Sequence, residues 1–370
     1  MSQIRPLADA DIAAVAGLFQ RIFRDGRKPP SPALTAYLRQ YYLASPLCES
    51  DIPSLVHVND GGVSGFIGVN VVPMSYHGRK LRAAICSTMM VEHHGSDPMA
   101  GARLLKSLLA GPQDLSISET ASAVSVQMWT RLRGIALTQY SLDWFRMIRP
   151  ASFLLDFAAT RIGAQRLLAP LARGIDALYL RRITGDEPRW SGVPAGWQPK
   201  RGLQVSEIDA AGFAALVEPL TAQFALRPDW RGDQLGYILS EAANKADQGD
   251  AVFAAVTTSS GAPVGAFLYH VRSGQIARVI QVLAKPGQAG VVLDCLIGDA
   301  TARGAAGLRG RTQPALLDEM LSRRIAFAHG GATVVHSRDD ALVEAFRRSQ
   351  GFANGLVGEH WSRLIGGRFD

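Results

Sequence analysis

The sequence predicts an α/β fold with mixed sheets, built twice in one chain as two modules joined by a helical connector. Three observations predict it. The chain has 370 residues, more than one ordinary hydrophobic core organises. Its halves open alike, with IRPLADADIAAVAGLFQRIF at 4–23 and LQVSEIDAAGFAALVEPLTAQF at 203–224. After each opening, apolar runs of strand period alternate with runs of helix period, the pattern of sheets covered by helices.

The elements follow in order. Pro6 keeps the residue before it extended, and a helix then starts around Asp9 or Asp11, burying Ile12, Val15, Leu18, Phe19 and Phe23. DGGVSGFIGVNVV (60–72) reads as a turn feeding a strand, and SGAPVGAFLYHV (260–271) is its counterpart. The spacing agrees, since Gly65 follows Asp11 by 54 residues and Gly265 follows Asp209 by 56. The apolar run Ala83–Val91 reads as a central strand, leading through small residues into a helix with a Leu104, Leu105, Leu108 and Leu109 stripe. A strand at 114–122, a helix at 123–133 and a strand at 135–145 complete the first half. WTRLRGI (129–135) echoes FRRSQGF (346–352), a third match between the halves. GEHWSRL (358–364) reads as a terminal strand, with Glu359 and Trp361 facing either the second module's cleft or its core.

Residues 152–183 are helical in pattern, broken at Pro170, and residues 184–202 read as a Pro-, Gly- and Trp-rich linker. The domains are therefore 1–150, a connector and linker at 151–202, and 203–370. Arginines among leucines in 152–183 suit a helix clamped between both modules, with a membrane-surface helix as the alternative.

Composition narrows the function. With 47% hydrophobic and 19% charged residues the chain is globular. The net charge of +7 suits an anionic ligand or surface, and the dense basic runs of nucleic-acid binders are missing. Cys48, Cys86 and Cys295 are too scattered for a disulfide framework or a zinc site, which favours a reducing cytoplasm. The first residues lack a signal-peptide pattern, and no apolar run approaches the roughly 20 residues of a membrane span.

At IRPLADADIAAV, VNDGGVSGFIG and TMMVEHHGSDPMAGARLL the chain resembles the GNAT acyltransferases, which transfer acyl groups from acyl-CoA. The resemblance covers 4–148 best and 203–364 more loosely, hence a tandem member. It implies acetyl-CoA or another acyl-CoA as co-substrate and direct attack in a ternary complex. It also implies a backbone amide about Met90, Val91 and Glu92 polarising the thioester carbonyl. The loop of the family begins with Arg or Gln, whereas Asp97-Pro98-Met99-Ala100-Gly101-Ala102 supplies only the Gly/Ala part. The physical case stands beside this. A helix start offers unpaired amides and partial positive charge, and small residues let a diphosphate approach. His94, Gly95, Ser96, Ala100, Gly101, Ala102 and Arg103 are the binding candidates. Lys285–Gly290 is the weaker second copy.

Glu92 and Glu119, at the ends of neighbouring strands, are candidate bases, and His93 is a third. Where the family places a Tyr to protonate the leaving thiolate, the repeats have Trp129 and Phe346. Tyr140 or water is then expected to supply that proton. No metal is expected, because adjacent His93 and His94 on a strand face opposite ways. The function read from this is acyl transfer to an amine or hydroxyl of a small or lipid-linked acceptor, without a nucleic-acid partner. The alternatives are a catalytically silent binding protein with the same fold, and a tandem peptidyl or aminoacyl transferase.

Overall fold

The computed structural model of the chain describes residues 2–59, 62–92, 97–162, 165–183, 187–194, 197–199 and 202–369. The first half runs β1 (Gln3–Pro6), α1 (Ile12–Phe23), α2 (Pro32–Arg39), β2 (Leu55–Asn59), β3 (Gly62–Tyr76), β4 (Arg79–Val91) and α3 (Ala100–Leu109). It continues with β5 (Leu115–Ala121), α4 (Ala123–Arg131), β6 (Ile135–Ala136) and β7 (Leu142–Met147). The connector is a hairpin of α5 (Pro150–Ile162) and α6 (Gln165–Arg182). The second half begins with β8 (Leu203–Glu207), α7 (Ala210–Thr221), β9 (Leu226–Pro228), α8 (Gln234–Ala243), β10 (Asp250–Thr258), β11 (Pro263–Val271) and β12 (Ile276–Ala284). It ends with α9 (Ala289–Ala302), β13 (Gly307–Arg311), α10 (Pro314–Ser322), β14 (Ala326–His329), β15 (Ala332–Ser337) and α11 (Asp340–Arg347).

These strands form two mixed sheets built on one plan. The first is ordered β1-β2-β3-β4-β5-β15-β6, with β9 added on β3, and the second β8-β10-β11-β12-β13-β7-β14. In each sheet the two central strands run parallel, and the last strand of each half has crossed into the other half's sheet. β7 lies between β13 and β14, and β15 lies between β5 and β6. A chain division at residue 150 therefore marks sequence order, and the sheets cross it.

Side chains explain why the strands exchange. Trp144 of β7 stands opposite Gly310 of β13, where a Cβ would come within 2.9 Å of the indole. The missing side chain lets the ring lie flat on the neighbouring strand, and the indole N–H donates to the Arg311 carbonyl at 3.1 Å. Arg146, fully buried, donates to the Arg189 and Arg324 carbonyls. One cluster of buried residues then spans both halves, from Ile12, Phe19 and Tyr41 to Phe213, Leu268 and Trp361.

Four sequence expectations change. The strand expected at 135–145 is two, β6 in the first sheet and β7 in the second, with a helical turn at Thr138–Tyr140 between them. The echo between 129–135 and 346–352 joins non-equivalent places: element order and sheet position pair α4 with α10, whereas 346–352 begins in the last turn of α11. Residues 358–364 form turns, because amides at Gly355, Glu359 and His360 donate to the Glu119 carboxylate in place of a neighbouring strand. The connector, expected to touch both modules, packs on the second sheet. Phe153 lies against Gly307 of β13, and Asp156 accepts from the Ile276 amide at 2.9 Å. No helix among the described residues is long and apolar enough to cross a membrane.

Candidate active site

β4 and β5 pair in parallel only where Ala83–Ile85 meets Leu115–Ile117, and beyond that they diverge. On its other side β4 bulges. Gly68 faces Ser87 and Phe66 faces Met90, so Ile67 alone spans Thr88 and Met89. Thr88 has φ 52°, a left-handed conformation that a β-branched residue adopts only when its surroundings impose it. The Tyr42 hydroxyl fixes it, bonding Thr88 Oγ1 at 2.6 Å and Ser87 Oγ at 2.8 Å. Gly68 leaves room for that phenol ring, since a Cβ there would lie 2.3 Å from it.

The wedge holds a cavity of about 350 Å³. Its lining carries hydroxyls, from Ser87, Thr88, Ser118, Thr120, Ser122 and Ser125. Apolar groups complete the lining, from Phe19, Phe23, Ile67, Trp129 and Leu364. Arg24 stands at the edge, tied to the Leu364 and Gly367 carbonyls. Cys86 lines the cavity as a buried thiol that burial holds well above its ordinary pKa.

Two carboxyls meet at this wedge, with opposite environments. Glu359, 3% exposed, lines the cavity and accepts from Thr120 Oγ1 at 3.0 Å and the Glu119 amide at 3.3 Å. Burial, reinforced by the Glu119 charge, pushes its pKa up to about 7. Burial would raise Glu119 too, but His360 and Arg311, together with the Glu359 amide, overcome it and hold that carboxyl low. Neighbouring groups driven apart in this way supply an ionised anchor and a group that exchanges protons near neutrality.

The expected site residues are distributed differently. Glu119 has no exposed surface; its oxygens serve the Gly355, Glu359 and His360 amides, with His360 Nδ1 at 2.8 Å. It anchors the terminal segment and does not open onto the cavity. Tyr140, also buried, donates to the Gly351 carbonyl at 2.7 Å and sits where the chain crosses between sheets. Burial raises its pKa, which opposes neither its packing nor its hydrogen bond, and it stands apart from the cavity lining. Glu92 lies at the β4 end in a two-point ion pair with Arg21 of α1, at 2.5 and 2.9 Å, also outside that lining. Its amide is taken by the Ser64 carbonyl at 2.8 Å. Met90 is buried in the core and Val91 nearly so. His93, His94, Gly95 and Ser96 lie outside the described residues.

At the start of α3, Ala100 and Gly101 are buried, and Gly101 faces Met89 and Met128. Its smallness therefore serves close packing of the helix on the sheet. The Asp97 carboxylate, instead of capping the helix, pairs with Arg103, and both reach His57 Nε2. The amides of Gly101 and Ala102 consequently have no acceptor among the described residues. At α9 the equivalent place differs: Glu319 and Arg323 side chains lie against Gly290, which sets a carboxylate at that helix end.

The sequence offers Glu359 either the second module's cleft or its core, and the structure gives it to the first cavity. The hydroxyl lining had a signal in SISETASAVS (116–125). The Tyr42–Thr88 contact had none, because it joins segments 46 residues apart.

No family model and no curated relative matches the sequence. Solved structures do match its shape. A protein of unknown function from Enterococcus faecalis V583, described as a probable N-acyltransferase, superposes with TM-score 0.57 at 10% identity, over 91% of this chain and 73% of that one. A GCN5-related N-acetyltransferase from Anabaena variabilis gives 0.56 at 9% identity, over 92% and 74%. Another from Kribbella flavida gives 0.51 at 12%, over 92% and 72%. The chain thus has, over nine-tenths of its length, the fold of the GCN5-related N-acetyltransferases.

Proposed function

We propose that the protein transfers an acyl group from an acyl-CoA to an amine held in the β4/β5 wedge, with Glu359 as the base. The observation that carries this reading is a buried carboxyl, at a pKa of about 7, facing a half-polar, half-apolar cavity beside the β4 bulge. Acyl-CoA supplies the acyl carbon as a thioester. The free amides at Gly101 and Ala102 are the diphosphate site, with Arg103 beside them. The bulge leaves one residue outside the ladder, so its amide is offered to the thioester carbonyl.

Glu359 then takes the proton that the amine gives up as the C–N bond forms and the C–S bond breaks. A base of this strength suits an ammonium far better than an alcohol, whose proton is held much more tightly. Of the two acceptor classes read from the sequence, the amine is therefore the one proposed. Among the described residues the cavity lining holds no tyrosine, and the leaving thiolate takes its proton from solvent. The test is thiol release by the full chain with acetyl- and longer acyl-CoAs against a panel of amines and alcohols. Turnover with amines at a rate that follows one ionisation near pH 7 is expected. CoA binding by calorimetry without turnover on any acceptor supports the silent binding protein instead.

A further inference from the structure

The second sheet has its own wedge. β12 and β13 pair in parallel only over Ile276–Arg278 and Gly307–Arg309, and a cavity of about 110 Å³ opens beyond. It adjoins the first cavity through the terminal segment, because Ile365 and Gly366 line both. Glu359 faces the first cavity and His360 the second.

This second cavity is faced by Lys245, Arg278, Arg309 and Arg311, with Asp143 as its carboxylate. Asp143 is already shared, accepting from Arg309 at 2.6 Å and from Arg311 at 3.3 Å. Arg311 also donates to the Glu119, Gly331 and Ser141 carbonyls. Lys245 and Arg278 have no carboxylate within 4 Å among the described residues. Lys245 is 3% exposed, and its ammonium has one acceptor, the His360 carbonyl at 2.5 Å. Burial lowers its pKa to about 7; Arg278 adds to that shift, and Glu119 and Glu241 oppose it from farther away. Gln248 Oε1 is buried there without a donor. A buried cation without a counter-charge is expensive to keep. A polar, cation-lined void beside the first cavity therefore looks built for an anion.

We propose that this cavity binds the carboxylate or phosphate of an acidic acceptor, with Lys245, Arg278 and Arg309 as its ligands. The assignment rests on the acyl-transfer reading for the acceptor's identity, and on the cavity alone for the anion. The amine of that acceptor reaches Glu359 past the terminal segment, so acidic amines are preferred over neutral ones.

Inorganic phosphate and succinate are the probes, followed by calorimetry and by thermal shift on the full chain. Wild type should bind one of them, and Lys245→Met and Arg278→Gln should each weaken binding on the order of tenfold or more. Arg278 is exposed, so its variant keeps the fold. Glu359→Gln should bind the anion as wild type does; wild type that binds the anion but turns over no acceptor sinks the acyl-transfer reading and leaves the site standing. Competition of the free anions with an acidic amine in the turnover assay identifies the acceptor's own group as the occupant; free anion binding without competition overturns that part. No binding of either probe at tens of millimolar, or binding unchanged in both variants, overturns the site.

A second inference stands on the connector. The hairpin turns Leu154, Leu168, Leu171, Ile175 and Leu178 to solvent, at 45–63% exposure. On α6 their spacing of three and four residues makes one stripe. Arg173, Arg181 and Arg182 are exposed beside it. The acids of the hairpin point the other way: Asp176 accepts from the Ala151 and Ser152 amides, and Asp156 from Ile276. An apolar stripe flanked by cations complements an anionic lipid surface. A second copy of the chain fits it poorly, because a twofold contact would set arginines against arginines.

We infer that α5 and α6 dock the protein on anionic lipid. Flotation with phosphatidylcholine vesicles, with and without phosphatidylglycerol, should show binding that needs the anionic lipid and falls with salt. Leu171→Glu with Leu178→Glu, both exposed, should abolish it with the melting temperature unchanged. No flotation, flotation insensitive to the double variant, or a dimer that the double variant dissolves overturns the inference.

Discussion

Replacing Glu359 by Gln tests the central assignment through two independent readouts. The amide keeps the acceptor for Thr120 Oγ1 and the Glu119 amide while removing the titration. In the folded chain the Glu359 pKa is raised from the ordinary 4.5 to about 7. A carboxyl raised on folding binds its proton more tightly in the native state, so its contribution to stability is full below pH 4.5. It is lost as the pH rises through about 7. At about 1.4 kcal/mol per pH unit, the loss amounts to about 3 kcal/mol. Wild type should therefore fall relative to Glu359→Gln by about that amount between pH 4.5 and pH 8, read from paired urea titrations. In the same variant kcat/KM should drop on the order of 10²-fold or more, and the wild-type rise near pH 7 should vanish from its profile. Parallel stability curves for the two proteins would refute the buried, neutral carboxyl. A pH-shifted stability with unchanged turnover would keep the environment and remove the base.

Other substitutions separate structure from chemistry. Gly68→Ala should push the Tyr42 ring off the bulge, at about 1–3 kcal/mol, and lower turnover by more than a distant core change of equal stability, measured at matched folded fraction. Tyr140→Phe leaves the Gly351 carbonyl without its donor and should cost about 1–2 kcal/mol in urea unfolding, with kcat retained; loss of kcat would restore Tyr140 as a proton donor. Glu92→Gln breaks a partly exposed ion pair with Arg21, so turnover should stay within about threefold, and a larger loss would return the base to Glu92. Because β7 and β15 are exchanged, the full chain should unfold in one transition by both tryptophan fluorescence and circular dichroism. Fragments 1–150 and 203–370, each missing a strand of its own sheet, should not fold alone.

Local signals carried much of the architecture into the sequence. Ile12, Val15, Leu18 and Phe19 are buried as their spacing requires, whereas Phe23, expected with them, is 44% exposed and lines the cavity; the central run Ala83–Val91 is a strand followed by the helix Ala100–Leu109. Such features are legible because a helix or strand needs only its own residues to show which face is apolar. The repeated opening was legible for the same reason.

What the sequence could not reveal depends on partners far along the chain. LDWFRM at β7 reads as a strand, but only packing against Gly310 and Gly307 of β13 decides which sheet it joins. Glu119 and Glu359 are both ordinary glutamates in sequence; the fold places them together, gives one the amides and His360, and leaves the other its cavity and a proton. Lys245, Arg278 and Arg309 are scattered over 65 residues, and tertiary structure alone sets them around one void. The sequence by itself determined the α/β elements, their repetition and the helix start at Ala100, because those follow from local periodicity and turn chemistry. The tertiary structure decided the strand exchange and the protonation of the carboxyl pair, because burial and field at a residue come from neighbours that chain order does not name.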